Sequence, residues 1–362
     1  MKKRVLILLS ACIALCVSSF GSTATAASKR TESFHKRTID ASIVVPPSDG
    51  AFHDGLLLAM KSDGQRVYYH LNGQIAFQLP AEVTPVSDFS AQRAIVKNNI
   101  TNLMGFVNTK GDLVTPLQYE EADSFSEGVA YVKCNGEKYL IDRFGRTVQR
   151  LHLDVHSTYQ FKDGLATAYD ATTGEVGYIN KAEQVIIPLK YRAGRDFSEG
   201  LALVQDRQGN IGYVNASGKM AVPLQYKSGG DFNEGLAPVQ HHNGLWGYIN
   251  TSGKVVIPFR YASADSFSEG LAAVANREGH IGYINSKGKW IIPYTSYNRG
   301  TGFKHGFAVV GKGDNATGTF GYINRVGRLV TKLEYRSESV PFNGMGIAVA
   351  YKVAGIAHIL TP

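Results

Sequence analysis

The stretch Leu245–Pro258, LWGYINTSGKVVIP, reads as a β-hairpin. A short apolar strand, GYIN, runs into an Asn that opens a turn. A Gly three residues on supplies a positive φ, and KVVIP runs back as the partner strand. Nearly the same words recur in MGFVNTKGDLVTP, VGYINKAEQVIIP, IGYVNASGKMAVP, IGYINSKGKWIIP and FGYINRVGRLVTK, with two weaker copies, KYLIDRFGRTV and VYYHLNGQI. The turn-opening residues His70, Asn108, Asp142, Asn180, Asn215, Asn250, Asn285 and Asn324 lie 34 to 39 positions apart. A period in that range marks an array, propeller or solenoid, in which each unit buries its apolar face against its neighbours.

Each unit has a further phrase ahead of the hairpin: FSEGLALV at 197–204 recurs as FSEGVAYV, FKDGLATA, FNEGLAPV, FSEGLAAV and FKHGFAVV. A turn ends at the Gly and an alternating strand follows. One unit therefore reads as three antiparallel strands. Pro116, Pro188, Pro223, Pro258 and Pro293 mark the end of the third, because proline donates no ladder hydrogen bond. Tyr119, Tyr191, Tyr226 and Tyr261 follow three residues later and, with the Phe of the next phrase, are expected to pack between units.

WGYIN, GKVVIP and FSEGLA resemble the bacterial WG-containing repeat family from about Ser42 to the end of the chain. The Trp-Gly pair survives once, at Trp246-Gly247, and Glu183 replaces the turn Gly in one copy. The resemblance implies an all-β repeat protein and no particular biochemical activity. The fold expected is tandem three-stranded antiparallel units of about 35 residues, closed like a β-propeller, with an open curved β-solenoid as the alternative. Closure is suggested by the ends. GIAVAYKVAGIAHIL supplies two strands without a third, and SIVVPP at 42–47 reads as a third with nothing before it. That makes eight continuous units and one shared between the termini.

Composition suits this fold: 44% apolar residues provide a core, 19% charge is too little for a disordered chain, and 39 Gly with 19 Tyr and 17 Phe fit short strands and tight turns. Residues 1–26 stand apart, with Lys2, Lys3 and Arg4 ahead of VLILLSACIALCV and then ATA, as in a secretory signal cleaved after Ala26. A lipidation box ending at Cys12 is the rival reading, but too few apolar residues precede it. Residues 27–41 read as a linker and 42–362 as the repeat domain. Cleavage would leave Cys134 as the only cysteine, so the domain is held without disulfides. Cys134 itself reads as a strand-end residue, with a reactive thiol as the alternative. No other segment is apolar for the roughly 20 residues a membrane span needs. The expected location is secreted or at the cell surface, as a monomer.

Catalytic motifs fail on context. GYINTSGKV has the wrong spacing for a phosphate loop, and GKGDNA from Gly311 has no helix to follow it. His241 and His242 lack a second pair at metal-ligand spacing. No cofactor or metal is expected, although an enzyme site assembled from distant residues, for instance inward-facing paired carboxylates of a carbohydrate-active enzyme at a ring centre, stays open. Arg146, Lys219, Lys254, Lys289 and Arg328 recur after the hairpin Gly, while Asp54, Glu127, Asp163, Glu199, Glu234 and Glu269 precede the Gly of the first strand. Both sets fall at one end of the unit. The expectation is a ring of exposed ion pairs, with an anionic-polymer face as the alternative and nucleic acid disfavoured by the balanced charge. At the opposite end, loops such as QDRQGN, QHHNGL and ANREGH differ while the strands around them do not. Asn210, His241, His242, Trp246 and His280 are therefore the candidate contacts for an envelope or extracellular protein or glycan. A purely structural spacer is the remaining reading.

Overall fold

The computed structural model describes residues 35–38, 43–45, 51–61, 63–153, 156–157, 159–313, 318–336, 348–351 and 357–361. The leader 1–26, with Cys12, lies outside them. Among the described residues every regular element is a β-strand, and the strands fall into nine antiparallel sheets.

The unit carrying LWGYINTSGKVVIP shows how the sequence builds each sheet. Its three expected strands are Leu236–Gln240, Trp246–Asn250 and Val255–Tyr261, paired in chain order. A two-residue lead strand, Ser228–Gly229, precedes them and pairs with Gln240 and Val239, giving four strands where the sequence announces three. The same plan is repeated with lead strands Ala193–Gly194 and Ser263–Ala264.

Both turn types follow from their residues. Glu234 and Gly235 have φ of 53° and 76°, making the two-residue turn with both central residues left-handed that matches the twist of a β-hairpin. The hairpin after Trp246–Asn250 is closed by backbone bonds Gly253 N to Asn250 O and Asn250 N to Lys254 O. The Asn250 carboxamide oxygen accepts from the backbone N–H of Ser252 and Lys254, and Asn180, Asn215, Asn285 and Asn324 do likewise. That local bonding is why Asn recurs. Glu183, in place of the turn Gly, is forced to φ 58°.

Consecutive sheets share apolar clusters. Leu236, Tyr248, Ile257 and Tyr261 of one sheet pack with Phe267, Ala272, Val274 and Ile284 of the next, and equivalent clusters join the neighbouring pairs. Tyr119, Tyr191, Tyr226 and Tyr261 are all buried in such clusters. The Tyr of GYIN is the deepest group: Tyr178, Tyr213, Tyr248 and Tyr283 are each at most 1% exposed. Each hydroxyl donates to a backbone carbonyl ahead of the next unit's Phe, at 2.7–3.1 Å. Each ring lies edge-on or tilted against that Phe, with centroids 4.8–5.1 Å apart. Burial pushes these hydroxyls well above the usual tyrosine range, so they stay protonated donors.

One sheet is built from both ends of the chain. His35–Thr38 pairs antiparallel with Ala357–Thr361, which pairs with Ala348–Tyr351. The strand that completes the C-terminal pair therefore comes from the stretch read as a linker. Ile43–Val45, read from sequence as that strand, instead pairs with Lys61 and Met60 as the lead strand of the following sheet. Three apolar residues fit either role, and only the pairing separates them.

Candidate partner-binding site

The loops joining the first and second strands are built to one backbone plan in three successive units. Asp206, His241 and Asn276 open the turns, and Gly209, Gly244 and Gly279, at φ 81–89°, close them. In each, the N–H of the opening residue bonds to the carbonyl four residues on. The frame is constant and the side chains on it change.

The sequence-derived contacts divide on this frame. The Asn210 amide is spent on Asp206 Oδ2, at 3.2 Å. His241 is exposed, but its Nδ1 accepts the Asn243 N–H at 3.2 Å and its ring lies 5.3 Å from Phe259. Trp246 is half-buried against the cluster of Leu236, Tyr248 and Phe267. His242 and His280 are exposed and free to meet a partner. Alignment on the loop glycines adds Arg207 and Gln208, with their counterparts Asn243, Arg277 and Glu278, at the exposed tips. Arg207 also reaches back to Glu175 of the preceding unit.

The opposite end corrects the partners in the expected ring of ion pairs. Glu127 and Glu269 do pair with hairpin cations, Lys181 at 3.1 Å and Arg325 at 3.4 Å, but among the described residues the carboxylates before the strand-opening Gly do not meet the cations that follow the hairpin Gly. They accept backbone N–H groups from the same turn of the next unit: Asp163 from Gly200 at 3.0 Å, Glu199 from Glu234 and Gly235 at 2.7 and 2.9 Å, and Glu234 from Gly270 at 2.9 Å. Ser198 reinforces this by donating to the Phe232 carbonyl at 2.8 Å. Arg146 pairs within its own hairpin, with Asp142 at 2.6 Å. Lys219, Lys254, Lys289 and Arg328 form no ion pair among the described residues. The physical reason is that two left-handed residues in a row point their N–H groups outward together, a better match for a carboxylate than a flexible ammonium.

Sequence reading missed a third feature. A cavity of about 600 Å³ is lined by Met104, Glu121, Ala122, Asp123, Tyr131, Lys133, Lys138, Ser157 and Tyr159. Tyr131 donates to Glu121 Oε2 at 2.9 Å, and Lys133 bonds Glu121 Oε1 at 3.0 Å. Those two bonds, Lys133 first, hold the Glu121 carboxyl below its ordinary range, while burial and then Glu121 itself push Asp123 up. Cys134 ends the neighbouring strand, half-buried, with its thiol 3.7 Å from the Gln118 carbonyl. No group of three potential metal ligands occurs among the described residues.

The chain belongs to the WG containing repeat family, whose repeat matches residues 104–139, 177–208, 211–246, 246–278 and 281–315. No curated protein matches it in sequence. Among solved structures, the computationally designed Ika8 protein is 14% identical with a TM-score of 0.44, covering 89% of this chain and 99% of its own. BamB from Moraxella catarrhalis is 12% identical with a TM-score of 0.42, covering 91% of this chain and 98% of its own. No helix among the described residues is long and apolar enough to cross a membrane.

Proposed function

We propose that this β-repeat protein is an exported, non-catalytic scaffold that binds an envelope or extracellular protein or glycan through the loops between first and second strands. The observation that carries the reading is the constant loop frame with differing exposed residues: Arg207 and Gln208, His242 and Asn243, Arg277 and Glu278. A framework that holds backbone constant and varies side chains presents a recognition surface at little cost in stability. The leader-like start supports export, and pairing of His35–Thr38 with Ala357–Thr361 supports closure of the array as a monomer. The repeated Lys219, Lys254 and Lys289, free of ion pairs among the described residues, make the hairpin end the competing face for an anionic polymer.

The test is retention of envelope fractions from the producing cells on tagged protein lacking residues 1–26. Replacing QDRQGN, QHHNG and NREGH by short Gly/Ser loops should abolish retention with little change in thermal midpoint, since exposed loops contribute little to stability. Changing the three Lys to Gln should leave retention intact, because exposed charges are screened beyond about 8 Å at physiological salt. The reverse pattern would move recognition to the hairpin end. Mass spectrometry of the secreted product checks the cleavage site.

A further inference from the structure

We propose that the cavity bounded by Glu121, Asp123, Tyr131, Lys138 and Tyr159 is a binding site for a neutral, hydroxyl-rich ligand of one or two sugar units. It lies in a unit other than those that carry QDRQGN, QHHNGL and ANREGH, and its test does not depend on that reading.

The first observation is an orphan. Tyr159 is 3% exposed and lines the cavity, yet its hydroxyl has no hydrogen-bond partner. Leaving such a group unpaired costs about 1–3 kcal/mol. Burial, followed by the nearby Glu183, pushes its pKa up to about 12, so it offers one donor and one acceptor at any physiological pH. Its ring lies flat on Tyr131, centroids 4.9 Å apart and planes 2° from parallel, which fixes where the hydroxyl points.

The second is how this unit departs from its siblings. The same groove exists one repeat pair further on, lined by Ala193, Arg195, Leu203, Gln205, Ile211 and Gly229, but holds only about 170 Å³. Cross-strand pairing sets the equivalences. Lys133 faces Lys138, two cations, where three later units place Gln205 with Ile211, Gln240 with Trp246 and Ala275 with Ile281, and the two earlier units place one cation only, Lys97 with Met104 and Arg66 with Met60. Tyr131 stands where Leu203, Pro238 and Ala273 stand. A groove that is small around Leu203 and Gly229 has here become wide and polar.

The chemistry of the walls selects the ligand. Asp123 accepts no side-chain hydrogen bond and Lys138 forms no ion pair among the described residues, so an acceptor, a donor and the side chain of Tyr159 all line one space. Glu121 is already neutralised by Lys133 and Tyr131. The balance of charge disfavours an ion of either sign, and the mixture of donors and acceptors beside Met104 and Ala122 fits hydroxyls on an apolar ring. The volume lies within the ~300–1,000 Å³ of small-molecule sites.

The experiment titrates the full chain lacking residues 1–26 with glucose, galactose, N-acetylglucosamine, their β-linked disaccharides and, as charged controls, glucuronic acid and inorganic phosphate, followed by calorimetry and by ligand-observed NMR. At least one neutral saccharide should bind. Tyr159→Phe should weaken it roughly tenfold, the loss of one well-placed hydrogen bond, without lowering the thermal midpoint of the free protein, because it deletes an unpaired group. Asp123→Asn and Lys138→Ile should weaken binding too, and replacing the three loops should not. Three results would each overturn the proposal: no neutral saccharide binds, the binding survives Tyr159→Phe and Asp123→Asn, or only glucuronate or phosphate binds. Should Tyr159→Phe fail to fold, its hydroxyl has a structural use and the proposal also falls; the Asp123 and Lys138 variants then show whether binding in the intact protein is located elsewhere.

Discussion

The Gly of GYIN should be the least replaceable residue of the repeat, for a reason unrelated to turn geometry. A Cβ on Gly247 would lie 2.6 Å from the Ile257 carbonyl oxygen and 3.0 Å from the Phe259 backbone nitrogen. Carbon and carbonyl oxygen rest at about 3.3 Å or more, so the third strand would have to retreat by about 0.7 Å. That strand carries Ile257 and Tyr261, each 1% exposed in the cluster shared with the next sheet, so the displacement reaches the inter-unit packing. Overpacking of this kind costs about 1–3 kcal/mol. Gly247→Ala should fall at the upper end, Gly177→Ala, whose Cβ would sit 2.3 Å from the Ile187 oxygen, above it, and Gly282→Ala below it, because its nearest contact, at 2.7 Å, is the half-exposed Trp290 side chain and its nearest backbone oxygen, of Ile292, is 3.0 Å away. Gly235→Ala is the control, because nothing lies within 4 Å and its φ of 76° leaves only backbone strain, about 1–2 kcal/mol. The assay is urea unfolding read by fluorescence of Trp246 and Trp290, with hydrogen exchange on the second strand where the array does not unfold in one step. The molecule already contains the converse: Tyr139 occupies the Gly position, and there the ladder runs regularly through Tyr139 to Arg150, whereas the register shifts around Gly177, Gly212 and Gly247. A Gly247→Ala protein no less stable than Gly235→Ala would refute the steric argument.

Two further outcomes follow. Deleting residues 348–362 removes the strand that pairs with His35–Thr38, the strand beyond it and part of the cluster around Phe307, Tyr322 and Tyr335; in a closed array this should lower the unfolding midpoint as much as damaging an internal unit, whereas a small shift would indicate an open one. Asp123, with its pKa raised by burial and Glu121, binds its proton more tightly folded than unfolded. Its contribution is therefore fullest below the ordinary aspartate range and is lost as pH rises through the raised value. Asp123→Asn should be more stable than the parent at pH 7 and equal to it near pH 3, as thermal midpoints across that range will show.

How much was legible in the sequence depended on whether a residue's role is local. Asn250, Gly253 and Gly235 act within a few residues of themselves, so their turns could be read directly. The three-strand unit and the inter-unit burial of Tyr119, Tyr191, Tyr226 and Tyr261 followed from period and spacing. Three things did not. The lead strand Ser228–Gly229 is two residues long and carries no periodicity. Choosing between His35–Thr38 and Ile43–Val45 required knowledge of pairing more than 300 residues away in the chain. The carboxylates were paired with the wrong partners, because sequence displays side-chain charge and hides the outward N–H groups of a left-handed turn, which Glu199 and Glu234 use.

The candidate sites show the same division in reverse, and they show how a repeat can reveal its own exceptions. By strand alternation alone Tyr131 is one more apolar position of FSEGVAYV, and Leu140 stands in the place of the GYIN tyrosine. Taken together the two are a swap: the large ring has crossed from the second strand to the first, since Tyr131 pairs with Leu140 where Leu203 pairs with Tyr213. The hydroxyl that in other units ties the second strand to the next unit, as in the Tyr213 bond to Gly230, is thereby absent, and the groove it would have braced is the one that holds Tyr159, Asp123 and the paired lysines. Seven sibling units fix what packing alone requires at each position. A unit that carries Tyr131, Lys138, Tyr139 and Leu140 together, beside a lysine at 133 that Lys97 matches in the preceding unit, has exchanged framework bonds for a wider polar space, and that exchange marks where a ligand is to be sought.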